Sequence, residues 1–447
     1  MSPSAPRSGL FRALALFSLC LTLAACGGGG GGGSSSAASG GSGGGGGAPA
    51  PVLNNFTSIT IDGGPPAIVA QGGAYNEPFV TVTLCAPGST TNCQTVDHVL
   101  LDTGSVGFRV QASVLNASLL SALTNETGPS GNPVGECYQY VDGYVFGSVR
   151  KADFTLGGGQ VAGMPIHVIA DSGPFATAPA SCSASAGTFL NTVALFGANG
   201  VLGVGVTAND CGPLCATSTS QGSAAYYDCP ASGCGAVITR AANTTAPFEQ
   251  LPNPVAAFSA DNNGVIVSLP AVPASGAAAL SGTLYFGIGT ETNNALGSAT
   301  VIPTSTSNSA HGAGLITVNY NGQGLTESYI DSGSSDLFFV DTNIPACTGT
   351  NLTGYYCPTT PTTLSLTLSG TNGASTSVSQ ALNNAQILLT SNNSALPGTG
   401  YNPNTNKKFN APSSSFDLGI PFFYGRKVYS AIEGRAAGGV YGPYVAF

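Results

Sequence analysis

Two strings constrain this chain more than any other feature. HVLLDTGS carries an apolar run to Asp102, and ESYIDSGS carries one to Asp331. In each, the run stops at a carboxylate, and a small hydroxyl residue, Gly and Ser follow. A carboxylate at the end of a buried strand is costly unless it is hydrogen-bonded or put to chemical use. Two copies in one chain suggest two related halves that bring a pair of carboxylates together. Paired carboxylates held close do not ionise independently, so one keeps a proton. That is the requirement for general acid–base activation of a water molecule.

The rest of the chain points to strands. FVTVTL, VIVSLP, GTLYFGI, GLITVNY and LSLTL cluster or alternate β-branched residues between turn signals, the pattern of an all-β protein built from many short strands. Gly 64, Pro 29 and only 7% charged residues oppose a helical protein. At 447 residues there is room for two domains with their own cores. The formal net charge is −9, and the only adjacent cations are Arg150-Lys151, Lys407-Lys408 and Arg426-Lys427. Phosphate binding needs clustered Lys and Arg, so no nucleic-acid partner is expected. The acidic surface reads as solubility outside the cell.

Residues 1–25 read as an export signal: Arg7 and Arg12 supply a basic start and LALFSLCLTL the apolar stretch. Leu23-Ala24-Ala25-Cys26 resembles the lipobox of bacterial lipoproteins. The resemblance implies cleavage before Cys26, a lipid on its thiol, and attachment to the cell envelope. Gly27 in the next position implies the outer membrane if the cell is Gram-negative. An ordinary secretory signal with an incidental Cys is the alternative. Residues 26–50, almost all Gly, Ser and Ala from Gly27 to Gly47, form a flexible tether. Folded sequence begins near Pro51, with a first β domain expected over 51–295 and a second over 296–447.

The chain has 12 Cys; setting aside Cys20 and Cys26 leaves an even number for disulfides in an exported protein. Short loops favour Cys85–Cys93 and Cys347–Cys357, leaving Cys137–Cys182 to pair. Cys211, Cys215, Cys229 and Cys234 are expected to nest as Cys211–Cys234 and Cys215–Cys229, with a zinc site as the alternative for these four.

The internal echo extends past the two strings. NGVLGVGV (Asn199 to Val206) lies well beyond the first, and FDLGIPFF (Phe416 to Phe423) well beyond the second. This order resembles the pepsin-like aspartic peptidases, and the chain also resembles a smaller family of uncharacterised bacterial lipoproteins of that kind. NEPFVTVTL and VDHVLLDTGS are similar to the family's opening strands, YQYVDGYVFGSVRKADFTLGG to its flap hairpin, and LGIPFFYGRKVYSAIEG to its closing segment.

The resemblance implies an all-β, bilobal double β-barrel with a cleft between the lobes. It implies a lipid-anchored, monomeric aspartic endopeptidase acting on polypeptide, with Asp102 and Asp331 as the catalytic dyad and no metal or cofactor. Gly104 and Gly333 would let backbone approach the carboxylates. Ser105 and Ser334 would donate to their outer oxygens, and Thr103 and Ser332 would bond across the lobe interface. Tyr140 is the flap candidate, with Tyr138 and Tyr144 as rivals. The sequence departs from the family in three places. Arg109 stands where a Trp usually reaches toward the flap, Val106 replaces a hydroxyl residue, and no basic prosegment lies between Gly47 and Asn55. These departures favour an alternative, an idle pepsin-like lipoprotein that binds peptides or a surface partner. A purely structural or adhesive β-lipoprotein is a third reading.

Other candidates read as structural. Asp171-Ser172-Gly173 ends in Pro174 and is expected to be a turn. His98, His167 and His311 are too scattered for a metal set or a Ser-His-Asp triad. Asp336 and Asp341 are expected to be solvated or hydrogen-bonded strand and turn positions.

Overall fold

The computed structural model describes residues 54–183, 187–212, 224–235, 238, 250–309, 312–349, 351–405 and 414–447. The export signal, the tether, Cys26, Cys215 and His311 lie outside the described residues. Among those described, the fold is all-β, as expected: one sheet of 16 strands, one of seven and a two-stranded ribbon. Alternation sets the faces. In Thr362–Ser369 the buried positions include Leu364, Leu366 and Leu368, while Thr363 and Ser365 face solvent.

Each half builds the same three-strand unit around its Asp. In the first, Cys93–Asp102 runs into the DTGS loop and returns as Val106–Gln111. The strand Gly200–Val204 inserts between them, parallel to the former and antiparallel to the latter. In the second, Gln323–Ile330 leads into the DSGS loop and Leu337–Phe338 follows. Asp417–Leu418 inserts in the same way, parallel to one strand and antiparallel to the other. The registers correspond: Leu202 lies opposite Leu101 and Leu418 opposite Ile330, each one residue before the Asp.

The Gly after each of those leucines has no space for a side chain. A Cβ on Gly203 would lie 2.6 Å from Val106 N, and one on Gly419 would lie 2.1 Å from the Asp336 carbonyl. The apolar-apolar-Gly elements of the sequence therefore end where a strand is threaded against the Asp loop.

The expected hairpin forms from Val134–Gln139 and Gly143–Leu156, with Gln139 opposite Tyr144. Its turn closes with Tyr140 N donating to the Gly143 carbonyl at 2.7 Å. The closing segment gives a short helix, Ile420–Phe423, and the strand Arg426–Ala431. That strand pairs with Gly264–Leu269, so the large sheet takes strands from both sides of residue 295. The main apolar cluster likewise runs from Ile59 to Val445 and includes side chains of both halves.

Between pairs of described residues, four disulfides are formed: Cys85–Cys93, Cys137–Cys182, Cys229–Cys234 and Cys347–Cys357. Three are as expected. The nested pairs Cys211–Cys234 and Cys215–Cys229 are overturned, because Cys229 and Cys234 bond to each other across a five-residue separation. Cys211 is disulfide-bonded too. These bonds consume the thiols that a zinc site would need and mark an oxidising environment outside the cytoplasm. No helix among the described residues is long and apolar enough to cross a membrane.

Candidate active site

Asp102 and Asp331 meet where the two Asp loops face each other, and both are fully buried. Gly104 joins them. Its N–H lies 2.8 Å from Asp102 Oδ1 and 3.0 Å from Asp331 Oδ1. A Cβ at Gly104 would stand 2.6 Å from the Asp331 carboxyl carbon, so any side chain there would push the carboxyls apart. Asp102 Oδ1 also accepts from Ser105 N at 3.1 Å, and Oδ2 from Ser105 Oγ at 2.5 Å. Asp331 Oδ1 accepts from Gly333 N at 2.8 Å, and Oδ2 lies 3.0 Å from Ser334 Oγ.

The loops are tied reciprocally. Thr103 N donates to Ser332 Oγ at 3.1 Å and Ser332 N to Thr103 Oγ1 at 2.9 Å. Ser332 Oγ in turn donates to the Leu101 carbonyl at 2.8 Å. The structure thus brings Asp102, Thr103, Gly104, Ser105, Asp331, Ser332, Gly333 and Ser334 into one cluster.

Burial raises the Asp331 pKa first, and the neighbouring Asp102 charge and hydrogen bond raise it further, to about 7. The two serines are placed differently. Ser105 gives its hydroxyl to Asp102 alone, whereas Ser334 also lies 2.6 Å from Asp417 Oδ2.

The hairpin lies near Asp102. Tyr138 and Tyr140 lie on one face with ring centroids 4.8 Å apart. Burial raises both phenol pKa values, Arg109 draws them back, and the Asp102 charge adds to the rise, which puts both hydroxyls within its field. Tyr144 points elsewhere, stacked on Phe189 at 5.1 Å. The hairpin tip reaches the other half, where Val141 packs on the cluster of Phe338, Leu352, Tyr355 and Tyr401.

Arg109 does reach toward the hairpin, by a different contact from a Trp hydrogen bond. Its guanidinium carbon lies 3.8 Å from the Tyr138 ring centroid. Nη2 pairs with Glu136 at 2.6 Å and Asp210 at 3.0 Å, and Nη1 donates to the Val106 carbonyl at 2.8 Å. His167 Nδ1 lies 2.6 Å from Glu136 Oε2, without hydrogen-bond alignment. Burial opposes the Glu136 charge, but Arg109 and then His167 outweigh it and hold Glu136 well below the usual carboxylate range. Asp210 goes the other way, raised by burial and by the Glu136 charge.

Sequence reasoning missed Glu136, Asp210 and Asp417. Glu136 in VGECYQY and Asp417 in FDLGIPFF carry the same signal as the dyad, a carboxylate among apolar residues, but no hydroxyl-Gly-Ser tail. Asp336 is not solvated. It is buried on Tyr75 Oη and Ser335 Oγ, both at 3.1 Å, and burial pushes its pKa up to about 6. Asp341 accepts from Tyr320 Oη at 2.6 Å. Asp171 precedes a 3-10 turn, Gly173–Phe175, and binds Arg150 away from the dyad. His98 faces Asp62 and Asp97.

Residues 51–447 match the family described as "Protein of unknown function (DUF3443)", and the chain belongs to that family. No curated protein matches. Among solved structures, the aspartic proteinase from Irpex lacteus is similar at 15% identity with a TM-score of 0.46; the match covers 88% of this chain and 96% of that one.

Proposed function

We propose that this DUF3443 chain is an aspartic endopeptidase of the cell envelope, hydrolysing peptide bonds with Asp102 and Asp331. One observation carries the reading: two buried carboxyls, one from each of two matching loops, share the Gly104 N–H. In this reading Asp102 takes a proton from water as the water attacks a peptide carbonyl. Asp331, the holder of the shared proton, protonates the carbonyl oxygen. Ser105 and the Gly104 N–H keep Asp102 oriented, and the Thr103–Ser332 bonds fix the loops so that little reorganisation accompanies the reaction. The lipid on Cys26 would hold the enzyme at the membrane while the tether gives it reach.

The full burial of both carboxyls supports a second reading, a closed pepsin-like protein that binds peptide without cleaving it. The test is incubation of the soluble body, from Pro51, with a mixed peptide library from pH 3 to 7. Cleavage by the wild type that vanishes in folded Asp102→Asn and Asp331→Asn variants is the expected result. No cleavage at any pH by the folded wild type would sink the peptidase reading in favour of binding.

A further inference from the structure

We propose that Asp417 is a third carboxyl of this site, a positioning residue that holds a proton and donates it to Ser334 Oγ, fixing the Ser334 hydroxyl on Asp331. The proposal rests on the reading of Asp331 as half of a catalytic pair and deepens it.

The argument is a hydrogen count. Ser334 Oγ lies 3.0 Å from Asp331 Oδ2 and 2.6 Å from Asp417 Oδ2. A serine hydroxyl has one hydrogen and cannot donate to both. One of the two contacts therefore takes its hydrogen from a carboxyl. In the proposed pair the shared proton lies between the Oδ1 atoms, which both face the Gly104 N–H, so the outer Oδ2 of Asp331 is left to accept. The remaining hydrogen belongs to Asp417. The chain runs from Asp417 O–H to Ser334 Oγ, and from Ser334 O–H to Asp331 Oδ2.

Three further observations agree. Asp417 is buried, and its Oδ1 accepts no well-formed hydrogen bond, a setting that disfavours the ionised form. Among the described residues, the ionisable groups facing it are Tyr329 on the paired strand, Asp331 and, farther off, Asp102; no cation is among these. The two halves also differ here. Register places Asp417 opposite Tyr329, whereas its counterpart Val201 lies opposite Leu100 and is apolar. Among the described residues, the second half has a carboxyl behind its serine where the first half has Val201. Losing the Asp417 proton would turn the Ser334 hydroxyl toward Asp417, removing a donor from Asp331 and adding a negative charge nearby.

The experiment is infrared difference spectroscopy of the folded body, wild type against Asp417→Asn, at neutral pH. A protonated carboxyl shows a carbonyl stretch that a carboxylate lacks, and other buried carboxyls cancel in the difference. Loss of one such band in the variant is expected; no loss overturns the proposal. Should that variant not fold, Ser334→Ala keeps Asp417 but removes its acceptor, and an Asp417 band that does not shift overturns it equally. Positioning has its own readout. Asp417→Leu should lower kcat roughly three- to tenfold, the worth of one neutral hydrogen bond, at unchanged KM. Asp417→Asn, whose amide donates to Ser334, should recover most of it; equal losses would overturn the role. A band without any cleavage counts against the peptidase reading and leaves the Asp417 proton in place. Cleavage without the band rejects the Asp417 proposal alone.

Discussion

Asp331 is the residue through which pH acts most directly on this protein. Its folded pKa of about 7 lies above the roughly 3.9 of an unfolded Asp. Between those values the native state binds more protons than the unfolded one, so stability present at acid pH is lost as pH rises toward 7. Asp336, raised to about 6 by burial, adds to the same slope. The wild-type thermal midpoint should therefore fall between pH 4 and 7. Asp331→Asn should flatten that fall and gain on the wild type at pH 7. Thermal melts by circular dichroism across the range check this, and parallel curves for the two proteins would refute it. At this scale the dyad was legible because an apolar run cannot end in a carboxylate without a reason. The eight residues of the two loops carried that reason in local sequence. Arg109 was visible as a departure, but its partners were not, since Glu136 lies 27 residues away and Asp210 101.

The element that gains most from Arg109 is the hairpin that carries Glu136 and Tyr138. Arg109 sits on the strand after the DTGS loop, while Glu136 and Tyr138 sit on the hairpin's first strand. The guanidinium thus fastens hairpin to strand by charge, by ring contact and by a bond to the Val106 carbonyl. Arg109→Leu would leave Glu136 buried with its main counter-charge gone, a loss of about 3–5 kcal/mol. Arg109→Lys should recover only part, because an ammonium cannot reach both carboxyls and the ring with one planar fork. Chemical denaturation of the three proteins measures it; a Leu variant as stable as the wild type would show that the cluster is dispensable. Hairpins and inserted strands were readable from alternation and Gly placement, because those signals act over a few residues. The pairing of Cys229 with Cys234 was not, because four nearby cysteines offer several closures and only the folded strand, with Cys229 buried beside Tyr227, selects one.

At the scale of the whole molecule, one residue makes an unusually dense join between the halves. Asn76, in the segment before the first long strand of its hairpin, sits at φ 53 and is buried. Its Nδ2 lies within reach of the Ser335 and Leu396 carbonyls, at 2.8 and 2.9 Å, and of Thr399 Oγ1 at 3.1 Å. Its Oδ1 accepts from Leu396 N at 2.7 Å and Tyr424 Oη at 2.6 Å. Every partner belongs to the second half, up to 348 residues away, which is why the sequence showed two matching halves but not what binds them. The duplication is a local pattern repeated, whereas the join is a set of long-range bonds. Asn76→Ala would leave several buried donors and acceptors unpaired and cost at least about 3 kcal/mol. It would also lose the Asn tolerance for a left-handed backbone. Because the main apolar cluster and the large sheet both draw on the two halves, the loss should appear as one cooperative unfolding transition at lower denaturant. Two separated transitions in the variant would mean that the halves are stable independently. Asn76 would then be the principal coupling between them, and the geometry of the dyad would depend on it directly.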